Sequence, residues 1–282
     1  MGEIFNLILV HPIINILVGV YKGLFFLHIP YALGFAIIIL TIIIRFLIYP
    51  LMASQLKSSK KMQALSPHLS RIKDKHKGDA KKLQAETMKL YKEHGVNPAA
   101  GCLPVLVQLP IIWALYSVLQ KIVGLDPKVV VSEINKIVYF DFIKLDQPWD
   151  PYFFGLPLGQ NPSQLISSVG VLVLLIPIAT GFFQFIQSKM MINKPEEPKG
   201  IVSRGAGSAS GGKNEDKKKE DFASAFQTQS LYIFPVMIGF FSYNFPVGLS
   251  LYWNTFTIFG IIQQYKVSGL GGLKGWVNKI HG

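Results

Sequence analysis

One cation, Arg45, lies inside a stretch from Tyr31 to Leu51 (YALGFAIIILTIIIRFLIYPL) that is otherwise without charge. The next charged residue, Lys57, is about 18 Å further along if the segment is helical. A guanidinium stays charged, so burying it at mid-helix costs roughly 2.5 to 3.5 kcal/mol on insertion scales unless water or protein groups accompany it. The chain must therefore build a polar environment around Arg45 within an apolar setting.

That setting is a membrane. Half of the 282 residues are hydrophobic and the net charge is +12, a combination that excludes an ordinary soluble enzyme and predicts an all-α polytopic membrane protein. Apolar runs long enough to cross a bilayer fall at about 31–53, 99–123, 166–188, 229–245 and 247–265. The last two form a tight hairpin turning at Asn244, Phe245 and Pro246.

Basic residues orient these five spans. Residues 57–94 carry 11 Lys or Arg against 4 Asp or Glu, whereas 125–164 carry 3 against 5. The first segment is expected in the cytoplasm and the second outside, with the N-terminus outside and the C-terminus cytoplasmic. Residues 1–30 are apolar but interrupted by Pro12, Asn15 and Lys22; they predict an amphipathic helix in the outer interface, with a sixth span, which would put the N-terminus inside, as the alternative. Ser66-Pro67, Gly78-Asp79 and Gly95 punctuate 57–94 into a helical hairpin, with Ser66 as the N-cap. The Gly/Ser-rich, charged stretch 199–221 is expected to be a disordered linker, and 266–282 a short basic tail.

Polar residues inside the spans recur at helical spacing: Thr41, Arg45 and Tyr49; Thr180, Gln184 and Gln187; Ser250, Asn254 and Thr257. Each stripe could serve interhelical hydrogen bonding, worth about 0.6 kcal/mol per bond. Three stripes and one unpaired cation together favour a shared polar cavity. Pro50 adds to this, because it gives no amide proton to the Phe46 carbonyl and bends the helix beside Arg45.

The spans contain no Asp or Glu, which disfavours a proton-coupled pump. All six histidines fall outside them, and neither HExxH, GxSxG nor GxxxxGK[ST] occurs, so no enzymatic chemistry, cofactor, metal or nucleotide site is expected. Cys102 is the single cysteine and is expected to pack as a small apolar residue.

Three segments, TIIIRFLIYPL at 41–51, MQALSPHLSRIKDKHKGDAKKLQAETMKLYKEHGVNPAAGCLPVLVQLPIIWALY at 62–116 and FPVGLSLYWNTFTIFGIIQQY at 245–265, resemble the YidC/Oxa1/Alb3 membrane protein insertases in order and interval. The resemblance covers about 20–265. It implies five helices around a hydrophilic groove, with Arg45 and Thr41 as groove positions, Tyr252-Trp253 as the aromatic pair toward the substrate helix, and Gln184 and Gln187 as further groove residues. Tyr49 and Asn254 join them from the polar stripes.

The implied partners are nascent membrane proteins and the lipid bilayer of a bacterial-type plasma membrane. The ribosome and the general secretion translocon are further candidates, and no small-molecule substrate is implied. The 17-residue tail is shorter than the ribosome-binding tail of mitochondrial relatives, which makes the hairpin the docking candidate. An anion transporter or lipid scramblase using Arg45 as its binding charge is the alternative reading, and a structural assembly factor the third.

Overall fold

The computed structural model describes residues 2–76, 78–97, 103–119, 127–191 and 217–281. It is built almost entirely of helices: α1 (Glu3–Phe26), α2 (Ala32–Leu47), α3 (Tyr49–Ala64), α4 (Ser66–Lys75), α5 (Ala80–Glu93), α6 (Leu103–Val118), α7 (Pro127–Ile137), α8 (Pro162–Val169), α9 (Leu175–Met191), α10 (Lys217–Asn244), α11 (Val247–Ser268) and α12 (Lys274–His281). Among the described residues one hairpin of strands, Tyr152–Phe153 with Leu156–Pro157, turns through Phe154 and Gly155, both at positive φ, which is the twist a two-residue antiparallel turn requires.

The expected first span is bent. α2 and α3 meet at 62° around Ile48. Pro50 has no N–H to return to Phe46, and regular bonding resumes only with Met52 donating to the Ile48 carbonyl. The core packs Leu33, Ile37 and Leu40 of α2 against Leu115 and Val118 of α6 and Leu249 and Tyr252 of α11, all essentially inaccessible. On the other side of α11, α9 and α10 approach through glycines: a Cβ on Gly181 would lie 3.3 Å from the Pro235 carbonyl oxygen, and one on Gly239 3.2 Å from that of Pro177. Small residues here replace side-chain volume with backbone contact, the usual way membrane helices gain close packing.

Several boundaries differ from the sequence expectations. The run 166–188 is interrupted at Gly170 (φ +84). Ahead of the break, Asn161 and Gln164 form a reciprocal cap that starts the separate helix α8, with Pro162 in its first turn. The helix of the expected fourth span, α10, reaches back to Lys217, so the last five residues of the expected linker 199–221 are helical, while the remainder lies outside the described residues, as does Cys102. The tail is also ordered. Gly269 (φ +80) ends α11, and α12 folds back so that Trp276 packs 5.9 Å from the Phe185 ring, with the Lys189 ammonium 5.1 Å above it.

α1 is long and apolar enough to cross a membrane by composition. Three of its side chains, Asn15, Tyr21 and Lys22, nonetheless turn to one segment. Asn15 donates to the Ile137 carbonyl and accepts from the Tyr139 amide, Lys22 donates to the Lys144 carbonyl and pairs with Asp146, and Tyr21 meets Trp149 edge-on at 5.8 Å. The loop after α7 therefore lies along the second half of α1. Within that loop the exposed Asp141 is held below the usual carboxylate range by its hydrogen bond from Lys144.

α4 and α5 form the polar hairpin. Leu65, one residue earlier than expected, occupies the N-cap of α4, and the Ser66 side chain does not cap it. Asp79 does cap α5, accepting from the Lys82 amide at 3.0 Å. Neither helix buries a residue.

Candidate functional site

Between α2, α3, α6, α9, α10 and α11 lies an open-sided cavity of about 410 Å³. It runs along α11 from Trp253 to Gln264, roughly 16 Å of helix. Apolar side chains of α10, among them Phe234, Met237 and Phe241, make one wall. The polar lining is Arg45 together with Gln55, Gln108, Gln184, Gln187, Thr257, Gln263 and Gln264.

Arg45 sits on the cavity wall, only 3 % exposed. Its Nη2 donates to the Phe256 carbonyl, its guanidinium stacks 3.3 Å from the centre of the Phe256 ring, and Phe259 lies 5.8 Å away. The Phe46 carbonyl is not its acceptor; the partner comes from α11. Its Nε has no hydrogen-bond partner, and no carboxylate among the described residues pairs with it. The cation is therefore only partly compensated, by one carbonyl dipole and an aromatic face.

Gly260 makes this placement possible. A Cβ there would lie 2.6 Å from Arg45 Nη2 and would overlap the Gln187 amide, so only a glycine lets both side chains cross α11.

The polar stripes divide. Near the α10–α11 turn, Thr180, Ser242 and Ser250 form a buried hydroxyl chain with Oγ–Oγ distances of 3.1 and 2.8 Å, a dry interhelical contact. One turn further, Gln184 and Gln187 reach the cavity, with Gln184 accepting from Trp253 Nε1 at 3.3 Å. Of the eight residues expected at a groove, Arg45, Gln184, Gln187 and Trp253 line the cavity.

The other four are not among the lining residues. Thr41 is inaccessible and donates to the Ile37 carbonyl; Tyr252 is inaccessible and its hydroxyl accepts from Gln108; Tyr49 offers its carbonyl to Gln263; Asn254 Oδ1 is buried without a partner. Sequence reasoning passed over Gln55, Gln108, Gln263 and Gln264. A count of amide side chains at both ends of the apolar runs would have raised them.

Beyond the Phe245 end of the cavity, main chain ties α11 to the loop before α8. The Val247 and Gly248 amides, opening α11, donate to the Gln160 and Leu158 carbonyls at 2.9 and 2.8 Å, and Leu119 packs against Gly248. On α2, Gly34 leaves the space that the Phe153 ring fills.

This division predicts a labelling pattern. In a Cys102→Ser background, a cysteine at Gln187 is expected to react with a membrane-impermeant maleimide from the α3–α5 side, and cysteines at Thr41 and Ser250 are expected to stay unmodified. Equal protection at all three would mean that the cavity is dry.

Comparison with known proteins gives a consistent picture. Residues 25–270 match the family model described as the 60Kd inner membrane protein. The chain is 35 % identical over 240 residues to membrane protein insertase YidC 2 of Bacillus anthracis, an alignment covering 84 % of this chain and 72 % of that one. It is 32 % identical to membrane protein insertase YidC of Fusobacterium nucleatum, with 84 % and 87 % covered. It is 31 % identical to the inner membrane protein ALBINO3 of Arabidopsis thaliana chloroplasts, with 89 % and 50 % covered.

Proposed function

Because the chain belongs to the YidC/Oxa1/Alb3 family of membrane protein insertases, we propose that it receives the hydrophilic end of an arriving membrane protein in the Arg45 cavity and releases the adjoining apolar segment sideways into lipid. The observation that carries this reading is the incompletely paired cation on the wall of an open-sided cavity. An acidic or polar tail entering there gains a charge-assisted partner part-way across the bilayer and spends less of its path in hydrocarbon.

The apolar segment that follows leaves along α10, whose exposed Val236 and Phe240 face outward, and its transfer to lipid supplies about 0.8 kcal/mol per buried CH₂. No covalent step is required. In this arrangement α1 lies in the outer interface against the loop that follows α7, the α4–α5 hairpin faces the cytoplasm, and both termini follow the charge asymmetry of the loops.

The test is reconstitution of the purified protein in liposomes with a single-span substrate carrying a short acidic tail. Protein-dependent insertion is the expected result. Anion or lipid flux without insertion would replace this reading with the transporter or scramblase alternative.

The hairpin is the receiving element of the proposal, where a nascent chain or ribosomal RNA would meet its basic surface. It contributes nothing buried to the bundle. Replacing residues 66–93 with a Gly/Ser linker is therefore expected to leave protease resistance of the bundle intact and to reduce photocrosslinking of stalled nascent chains to position 187 by about tenfold. Undiminished crosslinking would remove the hairpin from the capture step.

A further inference from the structure

The cavity holds six glutamines and one arginine but no Asp, Glu or Lys among its lining residues. A site selecting only acidic tails would need cations. Glutamine is the side chain that carries both a donor and an acceptor without charge, the same pair that every non-proline peptide unit presents. We propose that these glutamines form a sequence-independent binding site for the extended main chain of the segment being inserted. The proposal rests on the insertase reading and deepens it: Arg45 selects charge, and the amides accept any sequence.

The hydrogen bonds already made support this division. Four of the six amides are tethered on one side only. Gln263 and Gln264 donate to the Tyr49 and Met190 carbonyls at 3.3 and 3.2 Å, Gln108 donates to the Tyr252 hydroxyl at 3.0 Å, and Gln184 accepts from Trp253. The first three leave a carbonyl oxygen without a partner, and Gln184 keeps its NH₂. Gln108 Oε1 is buried with no partner at all. Tethering fixes each side chain in advance and lowers the entropy lost when a guest binds.

The opposite wall is apolar, so a peptide group lying against it gives up water partners on that side. Unless the glutamines replace those bonds, each N–H and C=O is left unsatisfied. Extended chain needs partners of both kinds along its length, and the glutamines distribute them over α3, α6, α9 and α11.

The experiment uses synthetic single-span peptides with a neutral Gly/Ser tail, either all-amide or with three tail amides replaced by esters, which removes N–H donors without adding bulk. Insertion is measured in liposomes containing the full chain and in protein-free liposomes. The ester tail is expected to lower the protein-dependent rate by about tenfold while crossing protein-free membranes more readily, because it has fewer donors to desolvate. In a Gln108→Met, Gln184→Met variant the amide-to-ester ratio is expected to fall toward one.

Equal protein-dependent rates for the two tails would overturn the proposal, as would an unchanged ratio in the variant. If the all-amide peptide inserted no faster with protein than without, the insertase reading itself would fail. The comparison of peptides on the unmodified protein needs no variant to fold.

Discussion

Arg45→Ala is expected to lower protein-dependent insertion of an acidic-tailed single-span substrate by about 10- to 100-fold, the range set by losing one hydrogen bond to a charged group in a partly desolvated site. The variant should still fold, because Arg45 forms no ion pair with any described residue and its removal relieves a buried charge. Arg45→Lys should keep part of the activity, since a lysine supplies the charge but not the planar stack on Phe256. Parallel insertion assays on the three proteins decide it, and normal insertion by Arg45→Ala would remove charge pairing from the mechanism.

The second large effect is expected at a residue with no functional group. Gly260→Ala places a methyl in the space occupied by Arg45 Nη2 and the Gln187 amide, so the guanidinium must leave the Phe256 carbonyl. Overpacking of this kind costs about 1 to 3 kcal/mol, and insertion should fall nearly as far as in Arg45→Ala. The double variant is the informative one. With the guanidinium absent the Gln187 amide, the other group the methyl meets, can swing into the vacated space, so Arg45→Ala with Gly260→Ala should insert no worse than Arg45→Ala alone. Independent, multiplying losses would show that Gly260 acts elsewhere.

The all-helical membrane fold and the place of the buried cation were legible because both follow from one-dimensional patterns: long apolar runs and a charge inside one of them. The bend beside Arg45 could be read from Pro50. What spacing could not decide is which neighbour a stripe faces. Thr180, Gln184 and Gln187 share one side of α9, yet the first bonds to Ser242 and the other two reach the cavity, because α10 closes over one end of that side only.

Tyr252 and Trp253 are adjacent in sequence and about 100° apart around α11, so one is sealed in the core and the other lines the cavity. Gln55 was invisible for a different reason. It falls beyond the expected end of its span, where an amide looks like ordinary solvated surface, and only the 62° bend folds it back over the cavity. Gly260 carried no signal, since the need for a missing side chain exists only once three helices meet.

The backbone pairs that fasten Val247 and Gly248 to Leu158 and Gln160 have an electrical consequence. A transmembrane voltage falls across low-dielectric material and hardly at all across water. If the cavity is wet from its open side, most of the drop falls across the protein beyond its Phe245 end, where that clamp lies. A unit charge held at Arg45 then has nearly the full drop still ahead of it, worth about 2.3 kcal/mol per 100 mV, instead of having crossed part of it already. The clamped end would thus focus the force that an energised membrane exerts on a charged tail.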